Sequence, residues 1–298
     1  MKRLYSLILM AAVICLPMSA DSYRNTMKEY MLKSNVINTD QYVKLMEPLA
    51  ESFFADDIEM GKTIIGRYIE EQMMEDITDM YLPLFRKHVS EAELKELIKT
   101  YSDPRYGRVQ EHASKILSTM DQTEEYQMFT TKYQEALVSI MQGGTAEDVK
   151  PTMSVSGEYA RVFNQYYVSS GTKQMVTNMF SSMTDMLENM LISYGYTQSE
   201  AKKVMKQVTD YSDRNLPVML MSIFNRNLTL RDLQDLNEIS ATTPYKHAME
   251  AVNDASTDVM QLGIDLISHM ADWMDKKYPK YAKGVRQRLE ETRRILGK

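Results

Sequence analysis

The chain is poor in residues that punctuate or staple a fold. Its 298 residues include one cysteine, one tryptophan, 11 glycines and 8 prolines. So little glycine and proline excludes a collagen or a low-complexity chain, and one cysteine excludes a disulfide-stapled mini-protein. Also missing are a Gly-rich phosphate loop, a Gly-x-Ser-x-Gly elbow and a His-Glu-x-x-His helix. No uninterrupted apolar stretch of spanning length follows the first twenty residues. What is present is 44% apolar residues, too many for a disordered chain and enough for one large domain or two ordinary ones.

Residues 1–20 have the layout of a secretory signal peptide. Lys2 and Arg3 form a basic start, Leu4 to Met18 is largely apolar, and Ser19-Ala20 precedes the first acidic residue, Asp21. The run is short for a retained spanning anchor, and bulky Ile14 argues against lipidation of Cys15. Cleavage after Ala20 leaves 278 residues without cysteine, expected in a periplasm or outside the cell, with no disulfide and no thiolate metal ligand.

The mature chain carries a net charge of −8, unevenly spread: residues 276–298 hold +7 and residues 21–275 hold −15. An acidic body argues against nucleic-acid binding. The basic end predicts either a solvated helix face lying against that body or a contact with an anionic surface through Lys280, Lys283, Arg286, Arg293 and Arg294.

Apolar positions recur at helical spacing almost throughout. Ile65, Ile69, Met73, Ile77, Met80 and Leu84 share one face; so do Tyr281, Val285, Leu289 and Leu296. Methionine is abundant, 26 residues in all, and Met175, Met179, Met183, Met186 and Met190 form a stripe. Flexible thioethers fill irregular cores, line adaptable apolar grooves or bind cuprous copper, in that order of expectation. Helix starts are marked by capping boxes at Ser90/Glu93, Thr197/Glu200 and Thr229/Asp232, by Asp103-Pro104 and Thr243-Pro244, and by Thr39. The expected class is all-α.

Residues 142–156, with Gly143-Gly144 and Pro151, read as a linker between two units, 21–141 and 157–298. The units are expected to be related. Phe85, Ser90, Glu93, Leu94 and Leu97 recur 139 residues later as Phe224, Thr229, Asp232, Leu233 and Leu236; Pro104 recurs at 140 as Pro244, and Tyr30 and Ser34 at 136 as Tyr166 and Ser170.

Ser90-x-x-Glu93-Leu94-x-x-Leu97, followed by Tyr101 and Asp103-Pro104-x-x-Gly107, resembles a bacterial family of exported helical proteins, the domain of unknown function number twenty fifty-nine. Its members carry a Ser/Thr, a Glu-Leu pair, an aromatic, a Ser/Thr-Pro and a nearby glycine. The match covers residues 60–120, with Pro104 to Gly107 one residue longer than usual. In the second half Ser240 stands for Tyr101 and His247 for Gly107. The resemblance implies an exported α-helical protein and lends no catalytic residue.

Little local chemistry competes with this. His88, His112, His247 and His269 are scattered, and only Asp265, His269 and Asp272 share a helical face that suggests a weak metal site. The acidic runs 56–59 and 70–71 point in several directions and read as solvated faces. No catalytic residue, cofactor or metal is expected. The leading reading is a non-enzymatic envelope module that binds a protein, peptide or lipid partner through the methionine stripe. An envelope-surface protein held by the basic C-terminal helix, and a hydrolase assembled across the fold, are the alternatives.

Overall fold

A computed structural model describes residues 22–34, 46, 49–257 and 259–296; the side chains of 117–118, 179–183, 185–186, 259–260 and 295–296 lie outside the described set. The leader (1–20) and Thr39 also lie outside the described residues. The structure is all-α, with no strand among the described residues.

The helices are α1 (22–33), α2 (49–53), α3 (Ile58–Tyr68), a π-turn (Ile69–Met73), α4 (Met74–His88), α5 (Glu91–Ser102), α6 (Pro104–Ser118) and α7 (Glu124–Met141). After the segment 142–156 follow α8 (Gly157–Ser169), α9 (Thr172–Ser193), α10 (Gln198–Asn227), α11 (Leu230–Ser240), α12 (Thr243–Ser256), α13 (Val259–Lys277) and α14 (Pro279–Leu296).

Their starts follow from local chemistry. All three capping boxes form, each hydroxyl accepting from the third amide while the acid reaches back to the cap N–H. Asp103 caps α6, accepting from the Arg105 amide at 2.8 Å, with Pro104 behind it. One expectation shifts: α12 is capped by Thr242, whose hydroxyl accepts from the Tyr245 amide, so Thr243 and Pro244 lie in the first turn. Aligning cap with cap keeps the offset at 139, and His247 then stands opposite Arg108, not Gly107.

Gly107 has its own reason. A Cβ there would sit 2.6 Å from the carbonyl oxygen of Tyr101, so α5 and α6 meet at a corner too tight for a side chain. Gly107→Ala is expected to lower stability by about 1–3 kcal/mol in urea unfolding, the range of an overpacked contact.

Corresponding contacts recur at the sequence offsets. The Tyr23 hydroxyl donates to the Val89 carbonyl at 2.8 Å, and the Tyr159 hydroxyl to that of Leu228 at 3.2 Å. Val89 N–H closes onto Phe85 O, and Leu228 N–H onto Phe224 O, each at 2.7 Å. Tyr30 packs on Phe85 with ring centroids 5.7 Å apart, and Tyr166 on Phe224 at 5.9 Å. Gly61, Ile64, Ile65 and Tyr68 are buried on α3, as are Ala201, Val204, Met205 and Val208 on α10, at an offset of 140. Past the π-turn the offset is 139. The π-turn therefore absorbs one extra residue in the first half's long helix, leaving the flanking buried faces in register with α10.

The halves do not pack as separate bundles. α12 lies along α4, α7 along α10, and α13 against both α4 and the π-turn. One core joins Tyr30, Tyr68, Phe85 and Leu94 to Met270, Trp273, Met274, Ala282 and Val285 from the chain's end. A second joins Val109, Ala113 and Ile116 of α6 to Phe163, Ile223, Phe224 and Leu233. A third joins Ala136 and Ile140 of α7 to Val204, Met205 and Tyr211 of α10. Each half thus sends its later helices onto the other's long helix. The 142–156 segment has no helix but is tied down, Val149 N–H donating to Asn215 Oδ1 at 2.6 Å and Thr152 to Glu125 at 3.1 Å.

Candidate functional site

α9 carries the methionine stripe, and its ends are built to turn. Gly171 enters it at φ 75°, a left-handed conformation, and Gly195 leaves it at φ 96° before the Thr197 cap starts α10. The helix is anchored on one side. Val176 and Leu191 are buried, and the Asn178 amide donates to Asn253 O at 3.2 Å and Ser256 Oγ at 3.0 Å on α12.

Several apolar side chains at the ends of the helix are nonetheless exposed. Met175 is 40% exposed, Met190 46%, Ile192 40% and Tyr194 73%, with Val168 at the end of α8 also exposed. Met175 and Met190 lie 15 residues apart, about 22 Å along the helix at 1.5 Å per residue. Met179, Met183 and Met186 lie between them; their side chains are outside the described residues. Ile192, Tyr194 and Val168 were not singled out in the sequence. Tyr194 continues the Met stripe four residues after Met190, so its spacing carries a signal; Ile192 does not, lying two residues from Met190 with Asn189 and Glu188 three and four residues before it.

Part of the basic helix is paired. Arg286 pairs with Asp272 at 2.6 Å and also with Asp275, both on α13. Arg293 pairs with Glu290 at 3.0 Å and donates to Ser268 at 2.9 Å. Arg294 approaches Glu291 at 3.9 Å, and Lys280 lies over the Tyr281 ring, 5.5 Å from its centroid. Only Lys283 of the five named cations has no such contact; it lines an α13–α14 cleft of about 620 Å³ with Asp272, Asp275 and Arg286. Beneath, Ala282, Val285 and Leu289 are buried. Acid from α13 offsets Arg286 alone; Arg293 and Arg294 pair within α14 itself.

Other clefts of about 170, 280 and 480 Å³ surround residues 132–147 and the middle of α10. None of these four clefts is lined by a histidine. The histidines with close carboxylates, His88 and His247, sit between helices. Asp265 accepts from Gln261, and Asp272 is held by Arg286, so the residues flanking His269 already have partners. No group of three or more His, Cys, Asp or Glu that could hold a metal occurs among the described residues. No described helix is long and apolar enough to cross a membrane.

Comparison with known proteins adds no relative: no family model, no curated protein and no solved structure matches this chain.

Proposed function

We propose that this protein is a non-enzymatic, exported helical module of the bacterial envelope that docks an apolar segment of a partner along α9. The observation that carries the reading is the pair Met175 and Met190, both well exposed at the two ends of a methionine-rich helix, with Tyr194 one turn beyond the second and Ile192 exposed on the same last turn. Exposed apolar groups clustered on one element mark interaction surfaces, and unbranched thioethers adapt to varied apolar partners. Export rests on the leader-like residues 1–20, and the kinship with the exported family rests on the motif from Ser90 to Gly107. The recurrence of corner, cap and tyrosine contacts supports a tandem duplication whose halves exchange their later helices.

The test is selection of apolar peptides from a displayed library on the purified protein. Binders are expected to lose at least roughly tenfold in affinity for a Met175→Ser, Met190→Ser, Ile192→Ser, Tyr194→Ser variant, equivalent to about 1.4 kcal/mol. Because Met175, Met190 and Ile192 are 40–46% exposed, a modest loss of stability is expected, and binding is compared well below the melting temperature of both proteins. Equal affinity for both proteins, or no selectable binder, rejects the reading.

Attachment to an anionic surface through α14 is less well supported, since Arg286 and Arg293 already have acidic partners. Removing α14 would also strip Ala282, Val285 and Leu289 from buried positions, so surface substitutions at Lys280 and Lys283 are the cleaner probe.

A further inference from the structure

The two halves meet through matched charge contacts of different kinds. In one, Arg108 of α6 pairs with Asp232, the capping acid of α11, at 2.9 Å. In its counterpart, shifted by 139 residues on both sides, His247 of α12 pairs with Glu93, the capping acid of α5, at 2.6 Å. Guanidinium is charged at every physiological pH, whereas imidazole is the side chain whose charge changes there.

α12 is held by a second histidine. His88, at the end of α4, places Nε2 2.8 Å from Asp254 and Nδ1 3.3 Å from Glu250, and its side chain is only 17% exposed. A neutral imidazole has a single N–H; facing carboxylates from both ring nitrogens calls for the doubly protonated form. Among the described ion pairs, the only other cation at these two acids is Lys87, 2.7 Å from Asp254.

We infer that α12 is a pH-released helix: imidazolium pairs at His88 and His247 clamp it to α4 and α5 in mild acid, and the clamp loosens as these rings lose their protons. The other contacts to α12 are insensitive in this range. From α9 comes the Asn178 amide, and the Tyr245 hydroxyl donates to Ser170 O at 3.3 Å. α11 and α13 place no charged group within ion-pair distance of either ring among the described residues. The acids stay ionised: Lys87, then His88, holds Asp254 below the usual carboxylate range, and hydrogen bonds from Ser90, then His247, do the same for Glu93. The sign follows. An imidazole that pairs with an ionised carboxylate contributes stability while its ring is charged and ceases to do so once the ring is neutral. α12 also lies against the start of α9, where a Cβ added at Gly171 would meet Met249 Cε at 3.0 Å. Release is nonetheless readable on α12 itself, whether or not α9 docks a partner.

Hydrogen exchange of α12 amides, corrected for intrinsic rates, should show roughly three- to tenfold less protection at pH 8.5 than at pH 6, the scale of two partly exposed ion pairs. A His88→Arg, His247→Arg variant keeps the cations and should hold wild-type pH 6 protection at both values. A His88→Gln, His247→Gln variant should show the weaker protection at both. Wild-type protection that does not change, or changes equally in the Arg variant, overturns the inference. So does nitrogen NMR of the wild-type protein if His88 is neutral at pH 6, a readout that needs no variant.

Discussion

Cut at Gly143-Gly144, the protein is expected to yield two fragments that do not unfold cooperatively alone but co-purify as a one-to-one complex when expressed together. The first core loses Met270, Ala271, Trp273, Met274, Ala282 and Val285 if the second half is absent. Each such apolar side chain contributes about 1.5–3 kcal/mol when fully buried, alanine less, against a total stability of about 5–15 kcal/mol for a native protein. The second half is exposed in the same way, because α6 and α7 supply Val109, Ile116 and Ile140 to cores built mainly on α8, α10 and α11. Ion pairs between halves, such as Arg105–Glu238 at 2.9 Å and Arg226–Glu125 at 2.5 Å, add specificity to the reassembly. Circular dichroism melts of each fragment, alone and mixed, decide the matter. A fragment that melts sharply as a monomer, without its partner, contradicts the shared-core architecture.

The second large effect is a matched pair of truncations. Phe85→Ala and Phe224→Ala are each expected to cost about 3–5 kcal/mol in urea unfolding. Phe85 is fully buried, between Tyr30 at 5.7 Å and Tyr81 at 6.4 Å. Phe224 is 4% exposed, with Phe163 edge-on at 5.7 Å and Tyr166 at 5.9 Å. Both rings fill the inside of a helix corner whose carbonyl takes the amide of the extended residue before the cap. Loss of either ring opens a cavity at the junction of three helices. The two values should agree within about 1 kcal/mol if the corners are equivalent, since the chemistry removed is the same. A cost below about 1 kcal/mol at Phe224 would mean that the second corner is held by something else.

The positions of helix starts were legible because the signals are local. Ser90 needs only Glu93, and Thr197 only Glu200, three residues away; no distant part of the chain enters. The offset of 139 was legible for the same reason, being carried by caps and corner aromatics. The π-turn was not. A one-residue insertion at 69–73 leaves apolar residues on both sides at helical spacing, and only the hydrogen-bond ladder shows where the extra residue went. His88 and His247 were passed over because no histidine lies four residues from another. Their partners are 166 and 154 residues away. The single hint was that the 139-residue shift carries Arg108 and Asp232 onto His247 and Glu93.

The amino-acid sequence alone determined that this chain is helical and where α5, α6, α10, α11 and, to within one residue, α12 begin, because capping and amphipathic spacing act over three to eight residues. It also determined a corner motif present twice. Only the tertiary structure decided that the two halves exchange helices and share cores, that α14 turns Arg286 toward the acids of α13, and that Met175 and Met190 face outward. Those outcomes depend on which faces meet. A periodic stripe says that a helix has an apolar side, but whether that side is covered depends on helices folded in from the far end of the chain.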